Sequence, residues 1–361
     1  MNERWTFPGF IDVHVHFRDP GVPAAETTAS GLAAAARGGF AAVVTMPNTS
    51  PACDSPAAIR RQLDLAAGAR TVLRPSACIT KGRLGREVAD LEALAEAGAA
   101  FFTDDGSYVA DDRVMEAAMN RIAALGMVAC QHAMDPAELR GGVIRDCELA
   151  RRLGLAVVSV ETETKAIRRD LSLCRETGCR THIQHISTAA GVDLVRSAQR
   201  EGLPVTAEAT PHHLLLCCDD LVADDANFKM APPLGNCEDR AELRKAVKDG
   251  VLMFATDHAP HPAATKAKGF AASANGIIGL ETAIPITYAV MVEEEGMAVE
   301  DWAKAWYDKP RDIVAGWRAG GEPFGETTVE IGAPRAVDLG AFASLSRNCP
   351  YGGMSFRCWP V

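Results

Sequence analysis

The sequence predicts an α/β fold, a TIM (β/α)8 barrel, from three observations. Short runs rich in Val, Ile and Ala alternate with longer segments typical of helices along most of the 361 residues. Eight such strand–helix pairs can be placed, and eight pairs are what this barrel needs to close. Capping residues mark the helical segments, with Ser55 before Pro56 at one start and Gly126 after one end.

The predicted elements follow one another in the order strand, helix, strand. The strands are expected at 9–17, 41–46, 71–79, 99–103, 127–132, 181–186, 204–209 and 251–256. The helices are expected at 25–37, 55–67, 86–97, 112–124, 163–177, 189–201, 238–248 and 280–294. A doubly wound open sheet is the alternative fold. The first strand–helix turn disfavours it, because that turn reads RDPG and not GxGxxG.

The chain changes character after about residue 320, where Gly and Pro become frequent and short alternating runs appear, such as TTVEIG and AVDLG. We therefore predict a barrel over residues 1–320 and a short C-terminal β-rich tail over residues 321–361. A two-stranded hairpin is marginally stable on its own. The tail is expected to pair with itself or to pack on the barrel or a partner subunit.

Composition excludes several classes of protein. The formal net charge of −10 disfavours nucleic-acid binding, which needs clustered Lys and Arg. The sequence shows neither a signal peptide nor an apolar run long enough for a membrane span, so we predict a cytoplasmic protein. The eleven cysteines are then expected to be buried, reduced thiols, in preference to a disulfide framework or a Cys-rich zinc site.

The nine histidines lie at or near the predicted C-terminal ends of strands, and we expect none inside a helix. They are His14, His16, His132, His182, His185, His212, His213, His258 and His261. A single strand histidine is more often a hydrogen-bonded core residue than a ligand. Convergence of nine on the rim that carries the active site of such barrels favours a metal centre instead.

The spacing around strand one supports that interpretation. Side chains alternate along a strand, so His14, His16 and Arg18 share a face and reach one cavity. Carboxylates join the same rim, from Asp104 or Asp105 after strand four and from Asp257 after strand eight. Mixed histidine and carboxylate ligation suits zinc, and about six ligands fit a two-metal site with a bridging carboxylate.

Several motifs also resemble a known family. DVHVHFRDPG and ATDHAPH resemble the two signatures of dihydroorotases, which belong to the amidohydrolase superfamily. The motifs GFAAVVTMPNT, FFTDDGS, QHIST, VTAEATPHHL and SRNCPYGG are similar to that family in order and spacing. The resemblance covers nearly the whole chain, and the combination is highly specific, although HxH alone is a weak signal.

The resemblance implies a zinc enzyme that interconverts L-dihydroorotate and N-carbamoyl-L-aspartate in de novo pyrimidine biosynthesis. A divalent metal would activate water for attack on the ring amide, with Asp257 as general base and acid. The implied cofactor is Zn2+, two ions per chain, held by His14, His16, Asp105, His132, His185 and Asp257. The implied contacts to the substrate carboxylate are Arg18, Asn48 and His261.

Within this ligand set, the resemblance assigns the first ion to His14, His16 and Asp257, and the second to His132 and His185. Asp105 would bridge them, as in the branch with Asp in place of a carboxylated lysine. Its neighbour Asp104 is the alternative, which strand parity leaves open. His182 has the opposite parity to His185 and is expected to pack.

Some positions depart from the family pattern. Where the family usually has NPPLR, this chain has APPLGN, so Ala231 stands at an asparagine position and Gly235 at an arginine position. The later PFG is ANG here, at 274–276. We therefore expect the carboxylate contacts to be kept and contacts to the pyrimidine ring to be lost. The family also has a longer N-terminal segment that pairs with the tail. Here the first barrel strand is expected almost at Met1, so that subdomain should be reduced or absent.

Two alternatives remain open. The first is another cyclic-amide hydrolase, of the hydantoinase or allantoinase type, which retention of Arg18, Asn48 and His261 disfavours. The second is a non-catalytic homologue that scaffolds aspartate carbamoyltransferase. The complete ligand set disfavours this role, and Ala231 and Gly235 favour it mildly. The expected partners are a small-molecule substrate, possibly aspartate carbamoyltransferase, and further copies of the chain in a homo-oligomer.

Overall fold

A computed structural model of the chain describes residues 3–317 and 325–361. Its strands are β1 Glu3–Pro8, β2 Phe10–Val15, β3 Phe40–Thr45, β4 Val72–Pro75, β5 Val128–Gln131, β6 Arg180–Ile183, β7 Val205–Ala209, β8 Met253–Phe254, β9 Glu326–Ala336 and β10 Ser355–Pro360. Strands β2 to β8 alternate with helices, as the sequence predicts for the barrel.

The α-helices are α1 Thr28–Arg37, α2 Pro56–Leu65, α3 Leu91–Glu96, α4 Asp112–Ala124, α5 Pro136–Leu139, α6 Glu148–Leu153, α7 Glu161–Thr177, α8 Ala189–Arg200, α9 Pro211–Leu215, α10 Cys237–Lys248, α11 Ala263–Lys266, α12 Gly269–Ala272, α13 Ala283–Thr287 and α14 Val299–Ile313. Short 3-10 helices occur at Lys81–Arg83, Cys218–Asp220, Ala226–Phe228 and Leu339–Ala341, and a π-helix at Tyr288–Glu294. Side chains cap several starts as predicted: Ser55 accepts a hydrogen bond from the backbone of α2, and Thr188 accepts one from α8.

The barrel strands form two parallel sheets, β2-β3-β4 and β5-β6-β7-β8. Single parallel bridges connect these sheets at both edges. Phe102 bridges both Ala77, after β4, and Ala129 of β5, while Val15 of β2 bridges His258, after β8. The predicted strand 99–103 therefore contributes one bridging residue. All six residues of β2 are buried, as expected for a strand of a parallel sheet covered on both faces.

A third sheet joins the two ends of the chain. Its order is β1-β9-β10, with both outer strands antiparallel to β9. Residues 3–8 therefore pair with the tail, and the barrel's first strand follows them, which the sequence did not indicate. The division at 1–320 and 321–361 stays a prediction, and the pairing adds β1 to the tail's sheet.

The three-stranded sheet lies against the N-terminal ends of the barrel strands. The backbone N–H of Gly9, just before β2, donates to Gly325 O at 2.9 Å. The hydroxyl of Thr327 donates to Gly39 O, just before β3, at 2.7 Å. A Cβ at Gly39 would lie 2.7 Å from Cβ of Pro360, so glycine permits this close approach. The C-terminal ends of the strands, at the other end of the barrel, are left for the functional site.

Two expectations from the sequence are corrected. His212 and His213 follow β7 directly, as predicted, but they lie inside the short helix α9, because Thr210 caps a helical turn that starts there. Cys217 and Cys237 form a disulfide, because the folded chain brings their Cα atoms to 5.3 Å. The other nine cysteines are free and buried, as predicted. Among the described residues, each helix is too short or too polar to cross a bilayer.

Candidate metal centre

The centre is built around the carboxylate of Asp105, which follows the bridging residue Phe102. Its Oδ1 lies 3.3 Å from His14 Nε2, 3.4 Å from His132 Nδ1 and 3.5 Å from His185 Nε2. Its Oδ2 lies 3.4 Å from His16 Nε2. The structure thus brings together two three-residue groups that share Asp105, each with ligand atoms within 4.8 Å of one another. A carboxylate shared in this way is suited to bridge two ions.

The neighbouring carboxylate, Asp104, points elsewhere. Its Oδ1 accepts hydrogen bonds from the backbone of Ile79 at 2.9 Å and of Thr80 at 3.1 Å. The hydroxyl of Thr80 donates to its Oδ2. Of the two candidates that strand parity left open, Asp105 therefore lies in the cluster, and Asp104 holds the loop after β4.

Asp257 completes the first group. Its Oδ1 lies 2.9 Å from His16 Nε2 and 3.5 Å from His14 Nε2. The residue has a positive φ of 49°, and His185 has one of 34°. Side chains other than glycine rarely adopt this left-handed region, and where they do the surrounding structure enforces it, often at functional sites. Both residues therefore sit on backbone turns at the cluster, where His185 faces Asp105 and Asp257 faces His14 and His16.

The turn at Asp257 is held from strand β2. Oδ1 of Asp12 accepts from the backbone of Thr256 at 3.0 Å, and the Thr256 hydroxyl donates to Oδ2 of Asp12 at 2.5 Å. The same hydroxyl accepts from the backbone of His258 at 3.0 Å. The residues on either side of Asp257 are thus tied to the strand that carries His14 and His16.

The electrostatics of the cluster favour a bound cation. Burial raises the pKa of Asp105, but the charge of His14 and the contacts with His132 and His185 together outweigh burial and leave the pKa well below its ordinary value. The pKa of Asp257 is likewise lowered, because His14 and His16 outweigh burial. Both carboxylates are therefore ionised. Nε2 of His14 and Oδ1 of Asp105 are buried and make no hydrogen bond to any described residue, so the donor set fits divalent metal.

A cavity of about 390 Å³ opens above the cluster. Its lining includes His16, Asp105, His132, His185 and Asp257, together with all three predicted substrate contacts, Arg18, Asn48 and His261. The lining also includes the largely apolar side chains of Tyr108, Met134, Leu139 and Val158. The predicted metal ligands and substrate contacts therefore line one cavity. His14 is the exception among them, because it is fully buried and does not line the cavity.

The three predicted substrate contacts have different surroundings. Nε of Arg18 donates to Pro260 O at 3.1 Å, and although burial lowers the pKa of Arg18 to about 10, it stays charged at neutral pH. Oδ1 of Asn48 accepts from His16 Nδ1 at 3.0 Å, so Asn48 also orients that histidine. Arg18 is thus a fixed positive charge on the cavity wall, suited to bind a carboxylate.

His261 is neutral in this arrangement. Its Nε2 lies 2.6 Å from Asn275 O, and because a carbonyl only accepts, Nε2 carries the proton. Burial, followed by the charge of Arg18, lowers the pKa of His261 to about 4. The remaining nitrogen, Nδ1, is then an acceptor, so direct binding of a carboxylate by His261 stays a prediction.

Comparison with known proteins supplies the family. The dihydro-orotase-like family matches residues 3–190. The dihydroorotase of Bacillus caldolyticus is 44% identical over 363 residues, which cover 99% of this chain and 85% of that protein. This chain belongs to the dihydroorotase family.

Solved structures confirm the fold of this family member. The L-hydantoinase (dihydropyrimidinase) from Arthrobacter aurescens superposes with a TM-score of 0.84 at 24% identity, covering 99% of this chain and 83% of that chain. The dihydroorotase from Saccharomyces cerevisiae, solved in complex with 5-fluoroorotic acid, gives a TM-score of 0.79 at 16% identity, with 99% and 98% covered. The TIM-barrel prediction is confirmed by these matches, which at such identities speak to fold alone.

Three residues that depart from the dihydroorotase pattern differ in where they lie relative to the cavity. Ala231 and Asn275 line the cavity, so their side chains are in a position to affect how a ring is bound. Gly235 packs elsewhere: a Cβ there would lie 2.6 Å from Ser187 O and 2.6 Å from Cβ of Asp239. A side chain at Gly235 would not fit beside Ser187 and Asp239 in this structure, so the effect of Gly235 on ring contacts stays a prediction.

Sequence reasoning missed one residue of the site, Glu208 on β7. Its Oε1 accepts from His14 Nδ1 at 2.5 Å and from the backbone of His185 at 3.2 Å, and its Oε2 accepts from His182 Nε2 at 2.9 Å. Burial opposes its charge, but His14 and His182 together outweigh burial and lower the pKa of Glu208 to about 2. Glu208 thus fixes His14 with Nε2 towards Asp105, a common arrangement behind metal-binding histidines. The available signal was a lone glutamate in a buried strand, PVTAEA.

Proposed function

We propose that this chain is a dihydroorotase, which converts L-dihydroorotate and N-carbamoyl-L-aspartate into one another. The observation that carries the proposal is the Asp105-centred cluster at the base of a cavity whose wall bears the charged Arg18. Such a site combines amide chemistry with recognition of a carboxylate. The 44% identity to a dihydroorotase over almost the whole chain supports the same substrate pair.

The proposed cofactor is zinc, two ions per chain. His14, His16 and Asp257 would hold one ion, His132 and His185 the other, and Asp105 would lie between them. When bound, divalent metal lowers the pKa of water towards about 7 and polarises an amide carbonyl. The buried atoms of His14 and Asp105 that lack hydrogen bonds support this assignment.

The chain's own residues would handle the proton and the substrate. Asp257 is ionised and lines the cavity, so it can take a proton from the attacking water. In hydrolysis the water oxygen bonds to the amide carbon, the ring C–N bond breaks, and Asp257 returns the proton to the nitrogen. Ring closure is the reverse sequence. Arg18 would bind the substrate carboxylate and so orient the ring amide above the cluster.

The proposal is tested by counting metals and measuring turnover. The purified protein is analysed for metal content and assayed with dihydroorotate, hydantoin and allantoin in parallel. We expect about two zinc ions per chain and turnover of dihydroorotate. Turnover of hydantoin alone would replace the proposal with the hydantoinase alternative. Metal binding with turnover only after adding aspartate carbamoyltransferase would indicate a partner-dependent dihydroorotase.

The role of Asp257 is tested by replacing it with asparagine, which keeps its size and removes its basicity. We expect kcat for dihydroorotate to fall by roughly 10²- to 10⁴-fold, as is typical when a general acid–base is lost. Metal content is measured on the same preparation, because Asp257 is also a proposed ligand. Near-normal turnover of Asp257→Asn with its metal bound would contradict the proposed proton transfer.

A further inference from the structure

The tail reaches the cavity through one buried side chain, Asn348. The residue is 4% exposed, and all three polar positions of its amide are used. Nδ2 donates to Ala259 O at 2.9 Å and to Gly276 O at 3.0 Å, and Oδ1 accepts from the backbone of His261 at 3.2 Å. Its backbone carbonyl also accepts from Ile278 N at 3.0 Å.

Those contacts join two segments that we call the β8 wall, residues 258–261 and 275–278. The segments already meet in a parallel bridge between His258 and Ile277, and Ala259 N donates to Ile277 O at 2.8 Å. Both contribute to the lining of the cavity. The amide of Asn348 crosses from one segment to the other, and asparagine is the residue of this length that offers two donors and an acceptor in one plane.

The β8 wall in turn orients the side chains that face the substrate. Nε of Arg18 donates to Pro260 O at 3.1 Å, and Pro260 lies between the two residues that Asn348 bonds in the first segment. Nε2 of His261 donates to Asn275 O at 2.6 Å in the second segment. Moving either segment would therefore move Arg18 or His261 relative to the cavity.

The metal cluster is held by other contacts. Asp12 fixes Thr256 beside Asp257, and Glu208 fixes His14 from β7. These bonds do not involve the tail. A change at Asn348 should therefore reach the substrate-binding side of the cavity before it reaches the cluster.

We propose that Asn348 is a positioning residue that sets the substrate-binding wall of the cavity from the C-terminal tail. The proposal rests on the proposed function for its kinetic readout. It predicts a separation of effects: loss of the Asn348 amide weakens substrate binding, whereas the chemical step is largely kept.

The test compares Asn348→Ala with Ser346→Ala. Ser346 is a buried residue of the same tail segment, but its hydroxyl donates to Ala25 O at 2.7 Å and not to the β8 wall. In Asn348→Ala we expect KM for dihydroorotate to rise on the order of tenfold, with kcat changed by less than about threefold and metal content unchanged. In Ser346→Ala we expect KM to stay at the parent value. An equal rise of KM in both variants would overturn the proposal, as would a fall of kcat in Asn348→Ala with KM unchanged.

A second variant and a second measurement keep the test independent of turnover. Asn348→Asp keeps the shape and the acceptor and removes both donors, so it should raise KM as well even where the alanine variant folds poorly. Hydrogen exchange is followed by mass spectrometry in all variants. We expect faster exchange in peptides covering 258–278 for the Asn348 variants alone, with β2 peptides unchanged.

The measurements distinguish a failure of the proposed function from a failure of the proposed role of Asn348. If the parent protein does not turn over dihydroorotate, the proposed function fails, while exchange in the β8 wall still reports on Asn348. If the parent protein is active but neither exchange nor KM changes in the Asn348 variants, the positioning role is overturned and the proposed function stands.

Discussion

Two adjacent aspartates show how finely the site depends on single residues. Asp105 faces four histidine nitrogens, whereas Asp104 accepts hydrogen bonds from the loop after β4. Both side chains are buried, so neither can turn to take over the contacts of the other. Their surroundings assign one to the proposed metal cluster and the other to the backbone of the loop after β4.

Replacing each aspartate with asparagine separates these roles. Asp105→Asn should lose most bound metal, because a neutral amide no longer balances two cations. Asp104→Asn should keep its metal and lose about 1 kcal/mol of stability, since Asn Oδ1 can still accept from Ile79 and Thr80. Metal content after desalting and the melting temperature report the two effects. Equal metal contents in the two variants would contradict the assignment.

Glu208 provides the second residue-scale prediction. Glu208→Gln should weaken metal binding by roughly 10- to 100-fold, because the partner that orients His14 loses its charge. Glu281→Gln is a matched control: that buried glutamate accepts from the backbone of Ala343 and Ser344 and does not touch the cluster. Affinities are compared by chelator competition. A control variant that weakens binding equally would show that the effect is not specific to Glu208.

The sequence predicts some residues of the site and not others. His14, His16 and Asp257 could be placed because strand alternation and the strand-end rule bring them to one rim. Glu208 was missed although it lies near the C-terminal end of β7, because a lone glutamate in a buried strand does not reveal its partner, His14, which is 194 positions away. The sequence could not distinguish Asp104 from Asp105 either. Both follow a single bridging residue, Phe102, so the alternation of side chains along a regular strand does not apply to them.

At the scale of elements, local signals predicted several helices well, but they missed the long helix α14, Val299–Ile313, and they predicted the shortest strands poorly. Helix α4 spans Asp112–Ala124 as expected, because an amphipathic pattern and a cap at Asp111 are local features. Strand β8 is only Met253–Phe254, although a run of six apolar or small residues predicted 251–256. The pairing of β1 with β9 joins segments more than 300 residues apart, and no local pattern reports it.

The segment from Cys217 to Cys237 supports an element-scale prediction. It carries Met230, Ala231 and Pro233 into the cavity lining, and a disulfide joins its ends. Thiol titration in denaturant should find nine thiols before reduction and eleven after it. Cys237→Ser should give ten in both conditions, because the freed Cys217 becomes titratable. Eleven thiols without reduction would show that the two cysteines are not joined.

At the scale of the whole molecule, the tail connects the two ends of the barrel. Its strands β9 and β10 form a sheet with β1 at the N-terminal ends of the barrel strands. Between those strands, Ser346 and Asn348 reach the opposite end, where the cavity opens. We therefore expect stability to depend on the strands of the tail, and substrate binding to depend on the segment between those strands.

Phe7 on β1 allows this separation to be tested. Its ring centroid lies 5.7 Å from that of Phe10 and 6.1 Å from that of Trp302, so it packs the small sheet onto the barrel. Phe7→Ala should cost about 3–5 kcal/mol of stability through the cavity it leaves, and Phe7→Leu about 1 kcal/mol. Both variants should keep the parent KM for dihydroorotate well below their melting temperatures, because Phe7 lies at the end of the barrel away from the site.

Thr6→Ala is the control on the same strand, since the hydroxyl of Thr6 meets that of Thr328 on the exposed face of the sheet. Its melting temperature should stay close to the parent value, as surface substitutions usually change stability by less than about 0.5 kcal/mol. For the Phe7 variants we expect lower stability with an unchanged KM. For the Asn348 variants we expect a higher KM with the sheet intact. If Phe7→Leu raised KM as much as Asn348→Ala does, the tail would transmit the state of the small sheet to the cavity, and the two ends of the barrel would not be independent.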